Sequence, residues 1–242
     1  EEGFRVAAVT NGTLIDRMPE LLREYPDVIH LSIDGFGTVH DAVRGSGVFD
    51  RVRRNLELIR ERRGKLIFLT TVSDANVAEL AELPEQLAEL GPDEIVLQQL
   101  MYLTPAEIAA YRKFSVENFG CDYPELEAWR REDDAAYLAM LRRQLAALAK
   151  RSHPVPVRFT PHSYPDRLPD APACRAPFRR VHIRHDGAVG FCTDYFGFSA
   201  GNVKELPLEA ICRSPAAERY RAAVRSGELP ICDHCPWRLQ QL

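Results

Sequence analysis

Four cysteines in the C-terminal part of the chain carry the clearest chemical signal. Cys174 is followed by twelve residues, Gly187, four residues and Cys192, and after a long gap comes Cys232-Asp233-His234-Cys235. Four thiolates in two pairs form a ligand set for a tetrahedral metal ion or an iron–sulfur cluster. Between Cys174 and Cys192, His185-Asp186-Gly187-Ala188 separates two alternating segments, Val181-His182-Ile183 and Val189-Gly190-Phe191, which predicts a β-hairpin. A hairpin returns its ends to one edge, so Cys174 and Cys192 can approach each other and the C-x2-C knuckle can close the site. Ordinary buried thiols, a structural zinc site and disulfides are the competing readings. The chain reads as cytoplasmic, and in a reducing compartment this spacing points to a metal or cluster over disulfides.

Composition narrows the class. At 242 residues, 45% hydrophobic and 27% charged, the chain can build one sizeable core and a small appended module. A net charge of −4 gives no basic footprint, so no nucleic-acid partner is expected. No apolar run approaches the roughly 20 residues of a membrane span, so no membrane partner is expected either. The chain opens Glu1-Glu2-Gly3-Phe4, almost directly into a strand, as if cut through a domain.

The elements that would hold the site follow from periodicity. Arg5 to Val9 is an apolar run ending in Thr10-Asn11-Gly12, as in a buried parallel strand and its turn. Leu14 to Tyr25 carries helical spacing, Val28 to Ile33 is the next strand, and a loop with His40, Asp41 and Arg44 leads to a helix over about Val48 to Arg62. Lys65 to Val72 is a strand, Leu80 to Leu90 a helix, and Glu94 to Gln98 a strand. Thr104, Pro105 and Glu107 start a further helix with a capping box. Residues 104–150 are helical with a break at Gly120 to Pro124, resuming as one helix from Glu125 to Lys150 in which Trp129 and Tyr137 pack. Val155 to Phe159 is another strand. His162 to Pro172 is a Pro-rich linker, and helices near Pro207 to Ile211 and Pro215 to Ser226 lead back to the knuckle. Repeating strand–helix units mean right-handed crossovers and a parallel sheet, either doubly wound or an arc of a barrel. Polar residues gather at the C-terminal strand ends, where βα barrels keep their chemistry.

Together these residues resemble the radical S-adenosylmethionine (SAM) superfamily, in the branch with a C-terminal SPASM or twitch domain. Thr10-Asn11-Gly12 looks like the end of that barrel's third strand. Ser32-Ile33-Asp34-Gly35, with His40-Asp41 and Arg44-Gly45, looks like the fourth strand and its loop. Cys174-x12-Gly187-x4-Cys192 matches the opening of the SPASM/twitch module. The resemblance implies that Ser32 and Arg44 bind the SAM amino-carboxylate, that Asn11 and Gln98 contact its ribose or backbone, and that Cys174, Cys192, Cys232 and Cys235 hold an auxiliary [4Fe–4S] cluster. It further implies that Asp194, two residues past Cys192, can serve as a catalytic base. Asp34 is expected to cap its own turn. His182, His185 and His234 are expected to flank the cluster without binding it, with Cys121 and Cys212 outside the pattern.

Two departures qualify the resemblance. The family's C-x3-C-x2-C motif, which holds the SAM-cleaving [4Fe–4S] cluster, is absent and would lie upstream of Glu1. Gln241 stands where a full SPASM domain has a further cysteine, so the match is to the twitch type with one auxiliary cluster. The expected fold is α/β. Residues 1–160 form a partial parallel (β/α)6 barrel, about strands 3–6, with a helical extension, and residues 161–242 form a twitch-type hairpin and helix module. The expected activity of the full-length protein is that of a radical SAM oxidoreductase or maturase. It would abstract a substrate hydrogen through a 5′-deoxyadenosyl radical, acting on a small molecule or peptide, with a flavodoxin- or ferredoxin-type reductant. The 1–242 chain alone is expected to be inactive, and poorly soluble through an unpaired parallel edge. The alternatives are a non-catalytic iron–sulfur electron-transfer or scaffold protein, and a zinc-stapled barrel.

Overall fold

The computed structural model describes residues 3–132, 134–160, 174–195 and 197–235. By its contacts the chain divides into two units, Glu1–Leu100 with Asp133–Pro161, and Met101–Glu132 with His162–Leu242.

In the first unit β1 (Ala7–Thr10), β2 (Val28–Ser32), β3 (Lys65–Val72), β4 (Glu94–Gln99) and β5 (Val157–Thr160) lie side by side in chain order, every pair parallel. Successive right-handed crossovers that always step to the same side lay every connecting helix on one face. The sheet is therefore a singly wound arc. Of the two layouts open from the sequence, the order excludes the doubly wound one. The intervening helices are α1 (Pro19–Glu24), α2 (Thr38–Arg44), α3 (Val48–Glu57) and α4 (Leu83–Ala88); α5 (Pro105–Phe119) belongs to the second unit, and α6 (Ala135–Leu148) returns to the first.

Alternation along the strands separates the two faces. Ile29, Leu31, Leu66, Phe68, Ile95 and Leu97 share the helix side and are buried. Each contributes about 1.5–3 kcal/mol of transfer free energy, set against chain entropy. The other face carries Val9, His30, Ser32, Ile67, Leu69, Thr71, Glu94, Val96, Gln98 and Arg158, many of them only half-buried or exposed.

Three local differences from the sequence expectation have physical causes. Thr38–Arg44 is helical where a loop is expected, because Gly37 and Gly45 take positive φ at its ends and the Asp41 carboxylate accepts from Gly47 N at 2.7 Å and Phe49 N at 2.8 Å, pinning the turn into α3. Helix α3 stops at Glu57, short of Arg62, because its bonds tighten to i→i+3 at Leu58, Ile59 and Arg60. The helix expected from Glu125 is replaced by a 3-10 stretch, Pro124–Trp129, and α6 begins only at Ala135. Here the backbone extends to pair with Leu103, which donates to Trp129 O at 2.8 Å and accepts from Arg131 N at 2.9 Å.

The second unit starts with α5, whose Thr104 capping box forms as the sequence predicts. It continues with α7 (Ala176–Arg179) and a small antiparallel sheet of β6 (His182–Ile183), β7 (Ala188–Gly190) and β8 (Gly201–Asn202). The hairpin between β6 and β7 forms as expected; Gly187 has φ +90°, open to glycine, and a Cβ there would meet Asn202 Oδ1 at 2.4 Å. The third strand is not foreseen from sequence, being two residues long. Helices α8 (Leu208–Cys212) and α9 (Pro215–Ser226) lead to a final 3-10 turn, Pro230–His234. The linker expected at His162 to Pro172 lies outside the described residues. An aromatic core of Tyr111, Tyr123, Phe191, Tyr195, Phe198 and Tyr220 fills this unit.

One buried polar link ties α3 to the end of β1. Asn55 Nδ2 donates to Gly12 O at 2.8 Å, and Gly12, at φ +76°, lies against Leu31 and Val52 where a side chain would collide. Replacing Asn55 with Ala strands the Gly12 carbonyl, so chemical denaturation should show a loss of about 1–3 kcal/mol. An unchanged midpoint would mean the link does not hold the turn.

Candidate functional site

The sequence-predicted residues fall in two groups, one in each unit. At the C-terminal edge of the sheet stand Asn11, one residue past β1, Ser32 at the end of β2 and Gln98 near the end of β4. Asn11 is exposed, and its Oδ1 accepts from Thr13 N at 3.1 Å and Thr13 Oγ1 at 2.8 Å, an Asx turn that shapes the strand exit. Ser32 and Gln98 are half-buried on the helix-free face, where Gln98 pairs in register with Thr71 and Thr160.

Arg44 closes this group. Its Nε donates to Asp34 Oδ2 at 2.5 Å, with the Arg44 side chain 34% exposed and the Asp34 side chain 1%. Among the described residues the terminal guanidinium nitrogens have no partner, so the fork keeps donors for a ligand. Asp34 does not cap its own turn, as the sequence reading had it. Its Oδ1 instead accepts from Thr71 N at 2.9 Å on the neighbouring strand, and its backbone oxygen accepts from Asn76 Nδ2 at 2.7 Å. Asp34 N donates to His40 Nδ1 at 3.0 Å, which places the neutral ring's proton on Nε2. Burial, the first cause, pulls the His40 pKa down. Asp34 and His40 are thus a buried support for Arg44. The carboxylate's cross-strand reach depends on β2–β3 register and leaves no local trace in sequence.

In the second unit the four cysteines come from separate segments: Cys174 just before α7, Cys192 just after β7, and Cys232 and Cys235 in and after the last 3-10 turn. None of the six cysteines is in a disulfide. The Cys192 thiol is pushed up to about 12, first by burial, then by Asp194, with Cys235 and Cys174 adding to it. Cys232 and Cys192 both act on Tyr195 and Tyr220, and Tyr220 hydrogen-bonds to Cys192. All four thiols are therefore in electrostatic reach of one place. A bare thiol there stays protonated at neutral pH, and it takes the positive charge of bound iron or zinc to make it a thiolate ligand. Among the described residues no three His, Cys, Asp or Glu side chains close on a single metal ion. A soft donor set of thiols, Cys235 buried and the other three partly so, has the chemistry of an iron–sulfur or a zinc site.

The surroundings are aromatic. Tyr111 stacks on Tyr195 at 4.5 Å between ring centroids, and Tyr220 packs on Phe198 at 4.6 Å. A cavity of about 240 Å³ opens beside Cys192, lined among others by His182, Arg184, Thr193 and Tyr195. Asp194 N donates to Cys192 Sγ at 3.4 Å, and its backbone oxygen accepts from Tyr111 Oη at 2.7 Å. Burial raises the Asp194 pKa, with the Thr193 hydroxyl and His182 pulling against it, so this carboxylate is a stronger base than an exposed one. His182 is half-buried and its pKa is lowered, chiefly by burial, while His185 is exposed; the His234 side chain and Gln241 lie outside the described residues. Arg221 is a positioning residue that the sequence does not reveal. Its Nε donates to Pro177 O at 2.9 Å and its Nη1 to Cys212 O at 2.6 Å, while the guanidinium lies 4.9 Å from the Phe191 ring centroid. It thereby anchors α7, which directly follows Cys174.

The Radical SAM superfamily model matches residues 1–87, and the iron-sulfur cluster-binding domain model SPASM matches residues 174–236. The chain is 33% identical over 105 residues to the Fe-coproporphyrin III synthase of Methanosarcina barkeri, covering 42% of this chain and 26% of that protein. It is 24% identical over 261 aligned positions to the pre-heme d1 synthase of Dinoroseobacter shibae, covering 95% of this chain and 60% of that one. In structure it is similar to Streptococcus suis SuiB bound to precursor peptide SuiA, with a TM-score of 0.58, 15% identity, and coverage of 99% of this chain and 56% of that one. The chain thus spans less than two thirds of the length of each of these proteins. The matched segments hold Asn11, Ser32 and Arg44 in the first unit and the four cysteines in the second, and the chain belongs to the radical SAM superfamily, in the group that carries a SPASM domain, a group whose cofactors are SAM and [4Fe–4S] clusters.

Proposed function

We propose that this chain is the C-terminal portion of a radical SAM oxidoreductase in which Cys174, Cys192, Cys232 and Cys235 hold one auxiliary [4Fe–4S] cluster of the twitch type. The observation that carries the reading is the convergence of these four thiols, drawn from distant segments, inside a buried aromatic shell. When bound, SAM and its own cluster supply the radical that takes a hydrogen atom from the substrate. The residues in hand do the rest. Arg44, braced by Asp34, pairs with the SAM carboxylate, Ser32 donates beside it, and Asn11 and Gln98 contact the ribose or backbone. Asp194 takes the proton released as the substrate is oxidised, and the cavity beside Cys192 gives access to that point.

The substrate we favour is a tetrapyrrole, because both sequence relatives described above are named as synthases of haem-type compounds. The likeness to SuiB, at 15% identity, supports the fold alone and gives no weight to a peptide. A flavodoxin- or ferredoxin-type reductant in the cytoplasm supplies the electron. A non-catalytic electron-transfer role is the competing reading; it requires the auxiliary cluster and makes no use of Arg44.

Two experiments separate these. Anaerobic reconstitution of the chain should give about four irons and four sulfides with broad absorption near roughly 400 nm, lost in Cys192→Ala; one zinc and no iron would refute the cluster. In the complete protein, Arg44→Ala should weaken SAM binding about 10–100-fold, measured by calorimetry, with Arg44→Lys restoring only part of it. Unaltered SAM affinity in Arg44→Ala would remove the SAM-binding role and favour the electron-transfer protein.

A further inference from the structure

The helix-free face of the sheet holds a charged group that the fold itself does not require. Register places Ser32, Leu69, Val96 and Arg158 in one row across β2 to β5, and His30, Ile67 and Glu94 in the row beneath. Paired positions of parallel strands point to the same side, so His30, Glu94 and Arg158 share the face that carries Ser32 and Gln98. The same positions on the helix side are filled by aliphatic and aromatic residues, which shows what the sheet uses where packing alone decides.

The group is poised rather than closed. Arg158 Nε donates to Glu94 Oε1 at 3.2 Å, and Nη2 lies 3.1 Å from the same oxygen, so the fork falls on one carboxylate oxygen instead of spanning two. The Arg158 side chain is 58% exposed and that of Glu94 28%. An exposed pair of this kind contributes no more than about 1 kcal/mol, so exchange of Glu94 for a ligand carboxylate costs little. A ligand that spans both guanidinium nitrogens makes the stronger, bidentate contact. His30 Nδ1 is buried without a hydrogen-bond partner among the described residues. Burial lowers the His30 pKa and Arg158 adds to it, with Glu94 pulling against them, so near neutral pH the ring offers a neutral hydrogen-bonding nitrogen. Lys65, one row further down, is exposed on the same face, so its cations outnumber Glu94.

We propose that this face is a docking site for a carboxylate of the substrate, with Arg158 as the anion receptor, Glu94 as its resting counter-ion and His30 as a second hydrogen-bonding partner. The proposal rests on the radical SAM reading and specifies the substrate class, an anionic molecule whose carboxylate sits beside Arg158 on the face that carries Ser32.

The test is a titration of the reconstituted full chain with iron coproporphyrin III and with its tetramethyl ester, followed by the Soret band. We expect the acid to bind at least about tenfold tighter than the ester, Arg158→Gln to weaken the acid about 10–100-fold while leaving the ester unchanged, and Glu94→Gln to retain or tighten acid binding. Equal binding of acid and ester, or an Arg158→Gln variant that binds as the parent does, overturns the site. If neither form binds the parent chain, the tetrapyrrole reading falls, and labelling of Arg158 by phenylglyoxal then decides the docking site separately. Protection of Arg158 by succinate upholds it for another carboxylate substrate, and no protection overturns it.

Discussion

The constraint on which the first unit depends is that parallel strands cannot be joined by tight turns. Each of the four adjacent pairs needs a crossover, and because the strand order runs β1-β2-β3-β4-β5 without reversal, the crossovers all step the same way. One face of the sheet is consequently buried under helices and the other is left for side chains that packing does not dictate. Ser32, Gln98 and Arg158 all lie on that second face. The strand exits supply the rest of the site, since a parallel sheet directs every C-terminal end to the same edge.

At that edge, charge burial does the positioning. The Asp34 carboxylate is almost fully enclosed and is satisfied by a backbone N–H from β3 and by Arg44. Removing either partner would leave a buried acceptor uncompensated, which is costly enough to fix both the β2 exit and the direction of the guanidinium. His40, held by the Asp34 amide, completes the support. In the second unit the comparable role falls to the aromatic shell, in which Tyr111, Tyr195 and Tyr220 enclose the thiols and Arg221 ties α7 to α9.

Much of this was legible in the residues. The βα alternation, the capping box at Thr104 and the hairpin at Gly187 are local signals, and each element formed close to where its signal lies. The cysteine spacing marked the four thiols to which the proposed cluster is assigned. Contacts made across distance were not legible. The extended pairing of Leu103 with Trp129 and Arg131 ended a segment that looks helical by composition, and Asp34 reached Thr71 rather than its own turn. Arg158 and Glu94 look like ordinary strand charges in sequence, and only the register of β4 with β5 sets them on the face shared with Ser32.

The central claim is that four thiols from three segments bind one polynuclear iron–sulfur cluster. X-ray absorption at the metal edge of the reconstituted chain tests it most directly. An iron–sulfur shell accompanied by an iron–iron scattering contribution is the predicted result. A single zinc–sulfur shell with no metal–metal contribution would contradict the account and leave the C-terminal unit a structural staple.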